Sequence, residues 1–170
     1  MMDGQSATTR LFLALWPDPA VRHLLTQWRD AWHWPRGATP VAADQLHVTL
    51  HFLGSQPSER LPDFLDGFAV PFDPFQLVLD RAVVWHNGIA VLEPQATPPA
   101  LEALHVRLGE ALLALGLPPE ARRYRPHATM ARRATGATVP TTRPPVSWEV
   151  SGYALVESKN SVYTVLRSYT

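Results

Sequence analysis

The same short motif occurs twice in this chain, each time inside an apolar run. The first copy is His47-x-Thr49 and the second is His127-x-Thr129. In a strand, alternate side chains point to the same face and stand about 6.6–7 Å apart. Each copy therefore predicts a strand with an imidazole and a hydroxyl on one face and apolar side chains on the other. The fold has to bury the apolar face of both strands and leave both histidines accessible.

Strict alternation along these strands assigns the residues that follow each motif to a face. After the first copy it puts His51 on the motif face and Phe52 on the core face. After the second copy it puts Arg132 on the face opposite to His127. The second strand must therefore end or bulge near Arg132 if this arginine is to reach the histidine.

Several common catalytic arrangements are excluded by the sequence. Cysteine is absent, which rules out thiolate nucleophiles and cysteine-ligated zinc. His47 and His51 have the spacing of a helical zinc pair, but in a strand they lie about 13 Å apart. The chain also lacks a Gly-x-Ser-x-Gly elbow, a glycine-rich phosphate loop and a dinucleotide fingerprint. Two His/Thr pairs remain, and two imidazoles at one site can serve as acid and base without a metal.

The distribution of positive charge points to a local anion site. The formal net charge is zero, whereas proteins that follow a long stretch of nucleic acid are usually basic overall. Arginine nevertheless clusters around the second motif, and guanidinium groups are well suited to phosphate oxygens. The clustered residues are Arg122, Arg123, Arg125, Arg132 and Arg133.

Apolar periodicity and turn residues predict a mixed α and β chain. Helices are expected over 18–32, 58–68 and 98–115, and a loop rich in Pro and Thr is expected over 135–145. Strands are expected over 10–16, 46–53, 75–79, 81–85 and 89–92 and around the second motif, with a final hairpin of 148–157 and 161–169.

The sequence also bears on location. No apolar run approaches the roughly 20 residues that a membrane-spanning helix needs. The segment Met1–Ser6 has neither the basic residues nor the apolar core of a signal peptide. We therefore expect a cytoplasmic protein that does not bind a membrane. A monomer is expected as well, although nothing in these segments bears on the oligomeric state.

The two motifs and their surroundings resemble the 2H phosphoesterase superfamily, and in particular its LigT-like branch. That branch comprises the RNA 2',3'-cyclic phosphodiesterases, also called 2'-5' RNA ligases. The resemblance covers most of the chain. The segments that carry it are Arg10–Leu15, Leu46–Gly54, Arg125–Arg132, Leu155–Ser158 and Tyr163.

The resemblance implies a bilobal α+β fold, in which two antiparallel sheets form a central cleft with helices on the outside. One motif would lie on each side of the cleft. Residues 1–170 are accordingly expected to form a single 2H phosphoesterase domain made of two pseudo-symmetric lobes, each with one motif.

The resemblance also implies an activity, the hydrolysis of an RNA 2',3'-cyclic phosphate end to a 2'-phosphate, with 2'-5' RNA ligation as a further expectation. It makes His47 the proton donor and His127 the proton acceptor. Thr49, Thr129 and Arg132 would bind the phosphate. No metal and no cofactor are expected.

Two alternatives remain open from the residues. The substrate could be a small cyclic nucleotide such as ADP-ribose 1'',2''-cyclic phosphate, or the chain could be a non-catalytic module that binds RNA ends or nucleotides. Phe12, Trp16 and Tyr124 are candidates for stacking on a base, although core packing explains their positions better.

Overall fold

The structure is a computed structural model that describes residues 7–170. These residues form ten strands and three α-helices, with short 3-10 turns at Ala43–Gln45 and Ser58–Arg60. In chain order the elements are β1 (Thr8–Leu15), α1 (Pro19–Ala31), β2 (Thr39–Pro40), β3 (Val48–Pro57), α2 (Leu61–Gly67), β4 (Phe75–Leu79), β5 (Arg81–Val84), β6 (Ala90–Glu93), α3 (Pro99–Ala114), β7 (Ala128–Arg132), β8 (Val146–Val150), β9 (Tyr153–Lys159) and β10 (Val162–Tyr169).

The predicted helices are confirmed, and α1 shows why its sequence is helical. The Asp18 carboxylate caps the helix by accepting a hydrogen bond from the Val21 amide at 2.8 Å, and Pro19 occupies the first turn. Val21, Leu25 and Trp28 form the buried stripe of this helix. Burial of that stripe against the sheets fixes α1 in place.

The strands form two antiparallel sheets, as expected for the α+β class. The larger sheet has the order β10-β9-β1-β3-β7-β6-β5, with β2 paired to β7. The smaller sheet consists of β4 and β8. Helix α1 lies against β8, and α3 lies against β3.

The two halves of the larger sheet meet at the strands that carry the motifs. Among residues 7–170, β3 and β7 share the single register pair Val48 and Ala128. By contrast, β1 pairs with β3 over most of its length. The sheet is therefore open at its centre, and the expected cleft lies at this junction within the larger sheet.

The predicted C-terminal hairpin is correct only in part. Residues 148–157, predicted as one strand, divide between β8, which pairs with β4, and β9, which pairs with β1 and β10. Gly152 lies at the break, where a Cβ atom would collide with the carbonyl oxygen of Tyr169. This close backbone approach allows the chain to leave one sheet and enter the other.

Residues 1–6, on which the expectation about a signal peptide depends, lie outside the described part of the chain. Within the described part, no helix combines the length and the apolar character needed to cross a membrane.

A candidate active site at the junction of two strands

The register at the junction brings the two motifs together in a symmetric arrangement. Because Val48 lies opposite Ala128 in antiparallel strands, His47 faces Thr129 and Thr49 faces His127 across the junction. Opposite side chains on one face of a strand pair stand about 4.5–5.5 Å apart at their Cβ atoms. All four side chains line one cavity of about 310 Å³, here called the motif cavity.

A bulge in β3 overturns the faces predicted for two residues after the first motif. The register with β1 runs from Thr49 to His51 and skips Leu50, which shifts the alternation by one residue. His51 is therefore buried, with its ring 4.0 Å from that of His105 on α3. Phe52 is instead 62% exposed and lines the motif cavity. The predictions that His51 shares the motif face and that Phe52 enters the core are wrong.

A matching bulge in β7 brings Arg132 to the motif face. The register with β6 runs from Thr129 to Ala131 and skips Met130. Met130 and Ala131 are both buried, and Arg132 is exposed and lines the motif cavity. The sequence required the strand to end or bulge here, and it bulges.

Hydrogen bonds fix the same tautomer in both motif histidines. His47 donates from Nδ1 to the carbonyl oxygen of Gln45 at 2.7 Å, and His127 donates from Nδ1 to that of Arg125 at 2.7 Å. In each case the acceptor lies two residues before the histidine. A neutral ring held in this way has an unprotonated Nε2, which is the atom available for proton transfer.

Aromatic rings surround His47 and lower its affinity for a proton. The ring centroid of His47 lies 4.9 Å from Phe12, 5.8 Å from Trp16 and 5.7 Å from Tyr163. Burial lowers the pKa of His47 to about 4, opposed by the Gln45 carbonyl and reinforced by nearby positive charge. The free protein therefore holds His47 neutral at pH 7.

His127 lies in a more polar environment than His47. Trp85 meets its ring edge-on at 4.6 Å. Burial lowers the pKa of His127, while the hydrogen bond to the Arg125 carbonyl and the charge of Glu93 oppose this shift. Arg125 is itself anchored, because its guanidinium donates to Glu93 at 3.0 Å and lies over Trp85.

Two contacts fix the position of Thr49. Its Oγ1 lies 2.9 Å from Nε2 of His47, and since the His47 proton is on Nδ1, the threonine hydroxyl is the donor. The backbone carbonyl of Thr49 accepts a hydrogen bond from the Tyr124 hydroxyl at 2.9 Å. Tyr124 therefore supports the motif strand, and its ring stacks on His105 at 3.9 Å.

All five residues singled out from the sequence, His47, Thr49, His127, Thr129 and Arg132, line the motif cavity. Sequence reasoning missed Gln45, Phe52 and Tyr163, which line it too. A comparison of the two motif copies would have found Phe52, because it follows His47 at the same distance as Arg132 follows His127. Phe12 and Trp16, considered for base stacking, flank the His47 ring, and Phe12 also lines the motif cavity although it is almost fully buried.

The part of the chain from residue 7 onward contains no cluster of three or more His, Cys, Asp or Glu side chains arranged to hold a metal ion. The motif cavity combines instead two imidazoles, two hydroxyls and a guanidinium. These groups can exchange two protons and hold the oxygens of one anion.

Known proteins resemble this chain in sequence and in fold. The family profile of the 2'-5' RNA ligase superfamily matches residues 16–161. A Thermus thermophilus protein named RNA 2',3'-cyclic phosphodiesterase is 34% identical over an alignment of 177 positions. The alignment covers 95% of this chain and 89% of the relative. An Escherichia coli protein of the same name is 34% identical over 155 residues, covering 89% and 85%.

Among solved structures, E. coli LigT complexed with 3'-AMP matches with a TM-score of 0.80 at 29% identity, over 95% of this chain and 97% of LigT. The resemblance drawn from the two motifs is thereby confirmed, together with the fold it implied. The chain belongs to the 2'-5' RNA ligase superfamily.

Proposed function

We propose that this chain hydrolyses the 2',3'-cyclic phosphate at an RNA end and leaves a 2'-phosphate. The observation that carries the proposal is the convergence of two His/Thr pairs and Arg132 on one cavity of about 310 Å³. The two relatives named RNA 2',3'-cyclic phosphodiesterase support this reaction over a small cyclic nucleotide or simple binding of RNA ends.

The reaction needs two proton transfers at opposite sides of one phosphorus atom. His127 takes a proton at Nε2 from a water molecule as the water oxygen bonds to phosphorus. The bond from phosphorus to the 3' oxygen breaks, and His47 gives its Nε2 proton to that oxygen. The product has a free 3'-hydroxyl and a 2'-phosphate, and exchange with solvent resets both histidines.

Negative charge grows on the nonbridging oxygens as the water oxygen adds to phosphorus. The Thr49 and Thr129 hydroxyls donate hydrogen bonds to these oxygens, and the Arg132 guanidinium neutralises part of the charge. Donors that are already in place when the charge develops stabilise the transition state more than mobile water does.

Binding of the phosphate also prepares His47 for its role as the acid. In the free protein the Thr49 hydroxyl donates to Nε2 of His47. A phosphodiester anion beside the ring raises the low pKa of His47, because opposite charge favours the protonated form. Once Nε2 carries a proton, the Thr49 hydroxyl no longer donates to it and is free to donate to a phosphate oxygen.

The same arrangement serves 2'-5' ligation when an RNA 5'-hydroxyl replaces the attacking water. His127 would take the proton of that hydroxyl, the new bond would join its oxygen to phosphorus, and the 3' oxygen would leave protonated by His47. We further propose that the chain acts as a cytoplasmic monomer, as a single domain of residues 1–170 made of two pseudo-symmetric lobes.

Product analysis tests the proposed function. A short oligonucleotide ending in a 2',3'-cyclic phosphate is incubated with the protein in EDTA, and the product is identified by 31P NMR. We expect a 2'-phosphate to form as fast in EDTA as in a parallel reaction without EDTA. An unchanged substrate would contradict the function, and loss of activity on chelation alone would contradict the metal-free mechanism.

A further inference from the structure

A second cavity of about 560 Å³ opens beside the motif cavity. Three residues, Thr49, Phe52 and His127, line both cavities. A ligand held at the histidines can therefore extend into the second cavity along a continuous wall. We call the second space the arginine cavity, because Arg122, Arg123 and Arg125 line it.

The arginine cavity has positive charge available for an anion. Arg125 is paired with the buried Glu93. Arg122 is 85% exposed and lies 3.5 Å from Glu120, a contact of the weak surface type. Arg123 forms no ion pair with any of residues 7–170. Arg122 and Arg123 can thus turn to a ligand without leaving a buried carboxylate unpaired.

Phe52 marks the boundary between the two cavities. Its side chain is 62% exposed, so the ring is accessible to a ligand in either cavity. The ring centroids of Phe52 and Phe12 are 6.3 Å apart, and the exposed side of Phe52 leaves room for a planar group. Any of the four nucleobases can stack on such a ring, because each has a flat π-face.

We propose that the arginine cavity binds the RNA strand on the 5' side of the reacting nucleotide. The cyclic phosphate occupies both the 2' and the 3' oxygens of the terminal ribose, so the strand can continue only through the 5' oxygen. The next anion along the substrate is therefore the phosphate on that oxygen. In this arrangement Arg122 and Arg123 bind the 5' phosphate, and Phe52 stacks with a neighbouring base.

This inference rests on the proposed function and adds to it the residues that hold the RNA strand beside the terminal nucleotide. A zero net charge fits such a substrate, because contact with one or two phosphates requires only a local positive surface. Guanidinium groups also match phosphate oxygens in geometry as well as in charge.

A series of three substrates isolates the contribution of the 5' phosphate. These are a nucleoside 2',3'-cyclic phosphate, the same compound with a 5'-phosphate, and a dinucleotide that ends in the cyclic phosphate. We expect kcat/KM to rise about tenfold when the 5'-phosphate is added, as for one good charge-assisted contact. The rise should shrink in high salt.

The double variant Arg122→Ala/Arg123→Ala tests the assignment to these residues. It should lose the roughly tenfold gain while hydrolysing the unphosphorylated nucleoside substrate at the native rate. Arg123→Lys should keep part of the gain. The control is Arg167→Ala, which removes an exposed arginine paired with Asp66 on α2 and should change neither substrate.

The outcomes separate this inference from the proposed function. If the nucleoside substrate is hydrolysed but a 5'-phosphate adds nothing, the arginine cavity does not bind the strand and the inference is overturned. An equal loss on all three substrates in the double variant would overturn it too, since that pattern indicates damage to the reaction itself. If none of the three substrates is hydrolysed by the native protein, the proposed function fails as well.

Discussion

Val48 on β3 pairs with Ala128 on β7, and the two motifs are arranged symmetrically about this pair. Each strand then bulges at the residue after its threonine, Leu50 or Met130. The bulges turn the residue five positions after each histidine toward the cleft, where one copy presents Phe52 and the other presents Arg132. The two copies therefore share one backbone arrangement, and the equivalent position carries Phe52 in the first copy and Arg132 in the second.

Loss of either motif histidine should slow the reaction strongly while leaving binding largely unchanged. His47→Ala and His127→Ala should each lower kcat by about 10²–10⁴-fold, the usual contribution of a positioned acid or base. Binding of a nucleoside 2'-phosphate, measured by calorimetry, should change little. His23→Ala, at an exposed position of α1, is the control. Equal losses of binding and turnover would favour a module that only binds.

The pH dependence of kcat/KM should be bell-shaped, with its maximum below pH 6.5. Burial lowers the pKa of His47 to about 4 and also lowers that of His127 from 6.5. The state with one ring protonated and the other neutral is most abundant midway between the two pKa values, whichever ring is the acid. The kcat profile should lie at higher pH, because the bound phosphate raises both pKa values. A maximum of kcat/KM above pH 7 would contradict this.

Arg132 and Phe52 should differ in their kinetic effects despite their equivalent positions. Arg132→Ala should lower kcat by about 10²-fold, because charge compensation matters most in the transition state. Phe52→Ala should mainly raise KM, by roughly threefold to tenfold, through loss of stacking. Arg133→Ala, at the next position, is the matched control for Arg132. A loss in kcat as large for Arg133→Ala as for Arg132→Ala would count against the assignment.

Glu93 should contribute to stability and to the position of His127. It is 2% exposed and pairs with both Arg81 and Arg125. Glu93→Gln should lower the free energy of unfolding by about 2 kcal/mol or more, as when a buried ion pair is broken. The variant should also lower kcat several-fold with little change in KM, because Glu93 anchors the Arg125 side chain and the Arg125 carbonyl holds the His127 ring. Asp66→Asn, which removes an exposed partner of Arg167, should stay within about 1 kcal/mol.

Protein stability should fall as the pH drops from 6.5 toward 4. The folded state lowers the pKa of His47, so between these values the unfolded chain binds more protons than the folded one. The contribution is fully present above pH 6.5 and is lost as the pH falls through about 4, up to about 3 kcal/mol. His47→Asn should weaken this dependence in urea denaturation at several pH values, whereas His23→Asn should not. An unchanged slope in His47→Asn would contradict the burial of a neutral His47.

The sequence predicted the helices, most strands and five residues of the motif cavity because these depend on periodicity and on two repeated motifs. Strict alternation failed at His51 and Phe52 because a bulge inserts one extra residue into β3. Whether a bulge forms depends on the pairing with the neighbouring strand, which the sequence of β3 alone does not show. The same limit applied to Arg132, whose approach to His127 required the bulge at Met130. The pairing of strands could not be predicted either, since β8 pairs with β4, which lies far from it in the sequence.

The roles of Glu93 and Tyr124 also could not be predicted from the sequence. Neither residue belongs to a motif, and each acts through the backbone of another residue. Tyr124 binds the carbonyl of Thr49, and Glu93 anchors Arg125, whose carbonyl holds His127. Such contacts follow from the tertiary fold.

The central claim is that His47 and His127 approach one phosphate from two sides. A crystal structure with a bound nucleoside 2'-phosphate measures this directly. We predict that Nε2 of each ring lies within hydrogen-bond distance of a different oxygen at or next to the phosphorus, with Arg132 beside a third oxygen. A phosphate that contacts only one of the two imidazoles, with the other turned away from it, would contradict the account.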